Sequence, residues 1–153
     1  MPGDYENMLK KSWKEVPEPK LLPGGTWRLR ADGAKFMEAK SAGQKDQVLF
    51  VFIPQEPLDD VDSDLLDELG VDYDYSSNRL FSRVFVETAA DWDKVRKLLI
   101  KFGNFDEDAS IEDSLKAVKG GEVFALVGIR NYTTDDGEVH TDNTVSSFTA
   151  VDE

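Results

Sequence analysis

Thr26 to Ala39 alternates apolar and polar positions, with Trp27 and Leu29 on one face and Arg28 and Arg30 on the other, and this period of two predicts a long strand. Asp32-Gly33 interrupts it and marks a bulge or bend. Gln47 to Ile53, QVLFVFI, is apolar on both faces and closed by Pro54; it predicts a second strand, paired with the first as a hairpin across the polar turn Ser41–Asp46. Asn78 to Glu87, NRLFSRVFVE, predicts a third. It places Arg79, Phe81, Arg83 and Phe85 on one side and Leu80, Ser82, Val84 and Val86 on the other. Glu122 to Tyr132 and Thr144 to Val151 predict two more strands, joined by a polar hairpin loop over Thr133–Asp142 with Asp136-Gly137 at its tip.

Between the third and fourth strands the period changes. From Ala90 to Phe102, residues Trp92, Val95, Leu98, Leu99 and Phe102 form one apolar stripe, with Asp91 as the cap and Gly103 as the stop. Lys94, Arg96, Lys97 and Lys101 make a solvated face with a possible use near phosphate. A shorter helix starts at Ser110, with Asp113 three residues on as a weakened capping box, and runs through Leu115 and Val118 to Gly120-Gly121. The stretch 54–76 reads as a surface insertion with a short acidic helix over Ser63–Leu69, ended by Gly70. Ahead of the turn Pro23-Gly24-Gly25, residues 1–22 read as an arm with a short helix around Tyr5–Trp13. Strand–strand–strand–helix–strand–strand is the order of the five-stranded OB barrel. The expected fold is therefore mainly β with short helices: one OB-like domain over 23–153, with an acidic insertion, 54–76, between strands two and three.

Length and composition narrow the chemistry. The 153 residues suit one domain with a real core. There is no cysteine, hence no disulfide, thiol nucleophile or thiolate metal site. No apolar run resembles a signal peptide or a membrane span, so no membrane partner and a cytoplasmic location are expected. The net charge of −13 opposes indiscriminate attraction to DNA, but it is unevenly spread. Residues 1–53 carry nine Lys/Arg against seven Asp/Glu and residues 77–105 six against three, while 54–76 carry none against nine and 106–153 three against twelve. A fold that gathers the two basic blocks makes a cationic groove on an acidic protein.

The third strand then has a chemical reading. Guanidinium groups alternating with aromatic rings suit a polyanion whose bases stack, the chemistry of single-stranded nucleic acid binding. Strands two and three form much of the ligand face of an OB barrel, so the expected nucleic-acid-binding set is Arg28, Arg30, Phe50, Phe52, Arg79, Phe81, Arg83, Phe85, Arg130 and Tyr132. The competing reading buries the phenylalanines and leaves the arginines as a rim.

Other chemistries fit less well. Asp60, Asp62 and Asp64 have the spacing of the first EF-hand ligands, but the sixth position is Leu65 and the twelfth Val71, so a calcium site is not expected. His140 is the only histidine, falls in the expected loop and lacks any metal-ligand partner. The glycine pairs lack the Lys and Ser/Thr of a phosphate loop. No catalytic constellation, cofactor or metal is expected.

LLPGGTWRLR, the FIP closing strand two, DW with LLIKFG, KGGEVFALVGIRNY and DNTVSSFTAV together resemble the phage-encoded OB-type single-stranded-DNA-binding proteins, over about residues 21–151. The resemblance implies a non-enzymatic, sequence-independent binder in phage DNA replication or recombination, with phage or host replication and recombination proteins as partners. The 54–76 insertion departs from that pattern, and Asp152-Glu153 is at most a remnant of an acidic tail. An exposed edge strand leaves a homodimer open. The rival reading is a protein–protein module of a phage that mimics DNA with its carboxylates.

Overall fold

The computed structural model describes residues 9–10, 20–103 and 105–151. The expected helix at Tyr5–Trp13 lies outside these apart from Leu9 and Lys10, which are helical, as does most of the expected arm. Five strands, β1 (Gly25–Met37), β2 (Gln47–Pro57), β3 (Leu80–Phe85), β4 (Glu122–Thr133) and β5 (Val139–Ala150), form one antiparallel sheet in the order β3-β2-β1-β4-β5. Beyond Leu9 and Lys10, the α-helices among the described residues are α1 (Ser63–Leu69), α2 (Ala89–Lys101) and α3 (Ile111–Ala117). The chain is thus mainly β with a few short helices. Among the described residues no helix is long and apolar enough to cross a membrane.

One face of the curved sheet closes over the core. Trp27, Leu29 and Ala31 from β1, Val48, Phe50 and Phe52 from β2, and Val123, Ala125 and Val127 from β4 are all essentially inaccessible. β1 carries the expected bulge, a register shift between Ala31 and Gly33 that leaves Asp32 out of the pairing. A second shift, between Arg28 and Leu29, explains why β2 runs past Pro54 instead of stopping there. Pro54 sits at this irregularity and beyond Phe52, the last β2 residue paired with β3, so no ladder on that side needs its missing N–H.

The helix α2 plugs one end of the core with Val95, Leu98 and Leu99. Its cap is Thr88, not Asp91. Thr88 accepts from the Asp91 backbone and the Asp91 carboxylate accepts from Thr88 N–H, a complete capping box that holds the Asp91 carboxyl below its ordinary range, chiefly through the Glu87 N–H. Ser110 caps α3 as its sequence predicts, accepting from the Asp113 N–H at 3.1 Å.

Two further expectations of the fold need correction. The 54–76 segment is no mere surface insertion, because Val61 and Leu69 are buried and Leu66, Tyr73 and Tyr75 pack on the core, while Leu65 and Val71 face solvent. It is also fastened to β1: Asp60 accepts from Thr26 N–H (2.9 Å) and Oγ1 (2.7 Å), and Gly25, at φ 139°, lies so close that a Cβ would come 2.7 Å from Val61 Cγ2. Asp62 caps α1 through the Asp64 N–H. The second correction concerns the last hairpin, in which residues 128–133 and 139–144 pair as a ribbon, leaving only 134–138 as the turn. His140 is therefore a strand residue, its ring stacked on Tyr132 with centroids 5.5 Å apart.

Candidate nucleic-acid interface

The outward face of β3 is the start of the site. Leu80 and Val86 point into the core, so parity turns Arg79, Phe81, Arg83 and Phe85 outward, and both phenylalanines are 53% exposed. On the neighbouring strand their partners are Val51 opposite Phe81, Leu49 opposite Arg83 and Gln47 opposite Phe85. Facing residues of an antiparallel pair share a face. Leu49 and Val51 therefore belong to this surface, and Leu49 is covered although it points away from the core.

The same parity removes Phe50 and Phe52 from the expected set. Both are 0% exposed; Phe52 stacks with Phe50, Phe102 and Phe148 at centroid separations of 6.2, 6.3 and 5.5 Å. A ring enclosed on both sides offers no face to a base. From Val48 to Ile53 every position is apolar, so alternation is silent about which half turns inward.

Across from β3 lies β5. The two strands come within 8 Å, Cα to Cα, without a hydrogen-bonded ladder between them. A groove of about 790 Å³ runs along this seam. Its cations are Lys20, Arg79, Arg83 and Arg130, against a single carboxylate, Asp142, and its apolar lining includes Phe81 and Phe85. Nothing local in the sequence marks Lys20 and Asn78 for this site, because their place in it depends on chain crossings. The Asn78 amide binds the Lys20 carbonyl, and the Lys20 ammonium donates to Leu69 O at 3.2 Å, which draws the entry to β1 against the groove's end. Asn143 fastens the same entry from β5, pairing with Leu22 N–H and C=O at 3.0 Å each and with Gly128 O at 3.2 Å.

The expected arginines have different circumstances. Arg28 is held by Glu122 at 2.7 and 3.0 Å and by Glu56 at 3.3 Å, and these bonds, Glu122 first, raise its pKa further. Its charge is spent within the protein and it does not line the groove. Arg30 is exposed on the same outward face of β1 but also stands outside the groove. Arg79 pairs with Asp32, the bulge residue. Arg130 pairs with Asp142 through Nη2 at 2.8 Å and Nε at 3.2 Å, which raises its pKa, and lies over the Tyr132 ring at 5.2 Å. Tyr132 itself is farther out on the ribbon. Arg83 is exposed and, among the described residues, has no ion pair or side-chain hydrogen bond.

The basic face expected on α2 is internally satisfied. Arg96 and Lys97 pair with Asp93, Lys94 lies 3.9 Å from Asp91, and Lys101 donates to Phe148 O at 2.7 Å. None of them lines the groove. Compared with known proteins, the chain matches no family model, and no curated protein matches it at a significant level.

Proposed function

We propose that this chain is a non-enzymatic, sequence-independent binder of single-stranded DNA, with the groove between β3 and β5 as its binding site. The carrying observation is the collection of four cations beside two half-exposed phenylalanines on a protein of net charge −13. Backbone phosphates meet Arg83 first, and Phe81 and Phe85 offer flat apolar faces to bases. Only unpaired bases present a free face to them, which supports a preference for single strands over duplex. On this reading the sheet is an OB-like barrel in which the β3–β5 seam, left without a ladder, holds the ligand. The setting is phage DNA replication or recombination.

The test is a titration of labelled oligothymidine and of a duplex of equal length with the protein at low salt, followed by fluorescence anisotropy. Single strands should bind better, and log affinity should fall with log salt by about 0.7 per neutralised phosphate, giving a shallow slope for so few cations. Equal or tighter binding to duplex would defeat the reading. Absence of binding to either would favour an acidic protein–protein module instead.

A further inference from the structure

Two of the three groove arginines are engaged by carboxylates, and the two carboxylates come from different strands: Asp32 from the β1 bulge on Arg79 and Asp142 from β5 on Arg130. Resting on the reading of the groove as a DNA site, we propose that Asp32 and Asp142 are built-in competitors for the phosphate backbone, and that they set the affinity of the groove by occupying Arg79 and Arg130 until a phosphate displaces them.

The geometry of the Arg130–Asp142 pair supports this. A carboxylate that engages Nε and Nη2 of one guanidinium together occupies the edge a phosphate would take. Both pairs are solvent-exposed, with side-chain exposures of 55% and 32% for Arg79 and Asp32 and of 59% and 41% for Arg130 and Asp142. Ion pairs this exposed contribute little to stability, so exchanging the carboxylate for a phosphate costs the fold little. The exchange also costs affinity, because the displaced carboxylate stays beside the incoming phosphate. Arg83 lacks such a partner among the described residues and acts as the fixed anchor. Asp32 is free for this duty because the bulge takes it out of strand pairing, and Asp142 faces Arg130 directly in the β4–β5 register.

Asp93 supplies an internal control. It also pairs with cations, Arg96 and Lys97, but on α2 and away from the groove, so Asp93→Asn removes the same unit of charge without touching the site. Oligothymidine affinity and its salt slope would be measured for the wild type, Asp32→Asn, Asp142→Asn and Asp93→Asn, with a thermal melt for each. The proposal expects Asp32→Asn and Asp142→Asn each to tighten binding roughly three- to tenfold, the size of removing one screened like-charge contact. Each should also steepen the salt slope by about 0.7, as one more arginine becomes available to phosphate. Asp93→Asn should change the slope little. Groove variants that bind no more tightly than Asp93→Asn, or more weakly than the wild type, would overturn the proposal while leaving the DNA-binding reading intact. Failure of all four proteins to bind would overturn both.

Discussion

β2 and β3 lie side by side, each carries two phenylalanines two or four residues apart, and the structure uses them in opposite ways. Phe50 and Phe52 are sealed in the core, whereas Phe81 and Phe85 stand half in solvent. The difference comes from what alternates with them. In β3 the phenylalanines share their face with Arg79 and Arg83, whose charges cannot be buried unpaired, so the aliphatic face must turn inward. In β2 they alternate with Leu49 and Val51, and no residue forbids either orientation. A phenylalanine on a strand is thus assigned to core or surface by its neighbours' least buriable group, not by its own hydrophobicity.

The sharpest way to break this comparison is to truncate one ring on each strand. Phe52→Ala should cost about 3–5 kcal/mol of stability through lost burial and the cavity left among Phe50, Phe102 and Phe148. Urea denaturation measures it, and a loss below about 1 kcal/mol would mean that the core there is easily refilled. Phe81→Ala and Phe85→Ala should instead leave the melting temperature nearly unchanged and weaken oligothymidine binding by about 1–3 kcal/mol each. If either lowers stability as much as Phe52→Ala does, the two strands are alike after all.

A smaller effect is expected at Arg83, the β3-face cation that has no ion pair among the described residues. Arg83→Ala should weaken binding mainly at low salt and flatten the log–log salt slope by about 0.7, whereas Arg28→Ala should leave the slope where it is, since Glu122 and Glu56 already hold that charge. Equal slope changes from the two would show that internal pairing does not decide which arginines meet phosphate.

The smallest expected effect concerns acid. Hydrogen bonds to Thr26 hold the Asp60 carboxyl below its ordinary value, and bonds to Ser76, to Glu87 and Thr88, to Arg96 and to Thr134 do the same for Asp74, Asp91, Asp93 and Asp136. A carboxyl lowered by folding adds stability that is present above its unfolded pKa of about 3.9 and is lost as pH falls through the folded value. Melting temperatures should accordingly decline below about pH 4, and Asp60→Asn should make that decline shallower. An unchanged acid limb in Asp60→Asn would remove the tie between Asp60 and Thr26 from the forces holding the 54–76 segment to β1.

Several features follow from the residues alone. The alternation in β3 forecasts its outward face, the Val95–Leu98–Leu99 stripe forecasts the buried side of α2, and Asp32-Gly33 forecasts the β1 bulge, because each pairs a strong local pattern with a residue that tolerates only one environment. Tertiary packing decided the rest. It set the inward half of β2, where every position from Val48 to Ile53 is apolar, and it carried that strand past Pro54, where no β3 partner needs an N–H. It drew Val61 and Leu69 of a stretch with nine carboxylates into the core, since apolar area buried by a few side chains outweighs charges that can remain in water. It also brought Arg130 and Asp142 to the seam opposite Arg79 and Arg83, more than forty residues distant along the chain, and such a meeting depends on strand order and curvature, which no local spacing encodes.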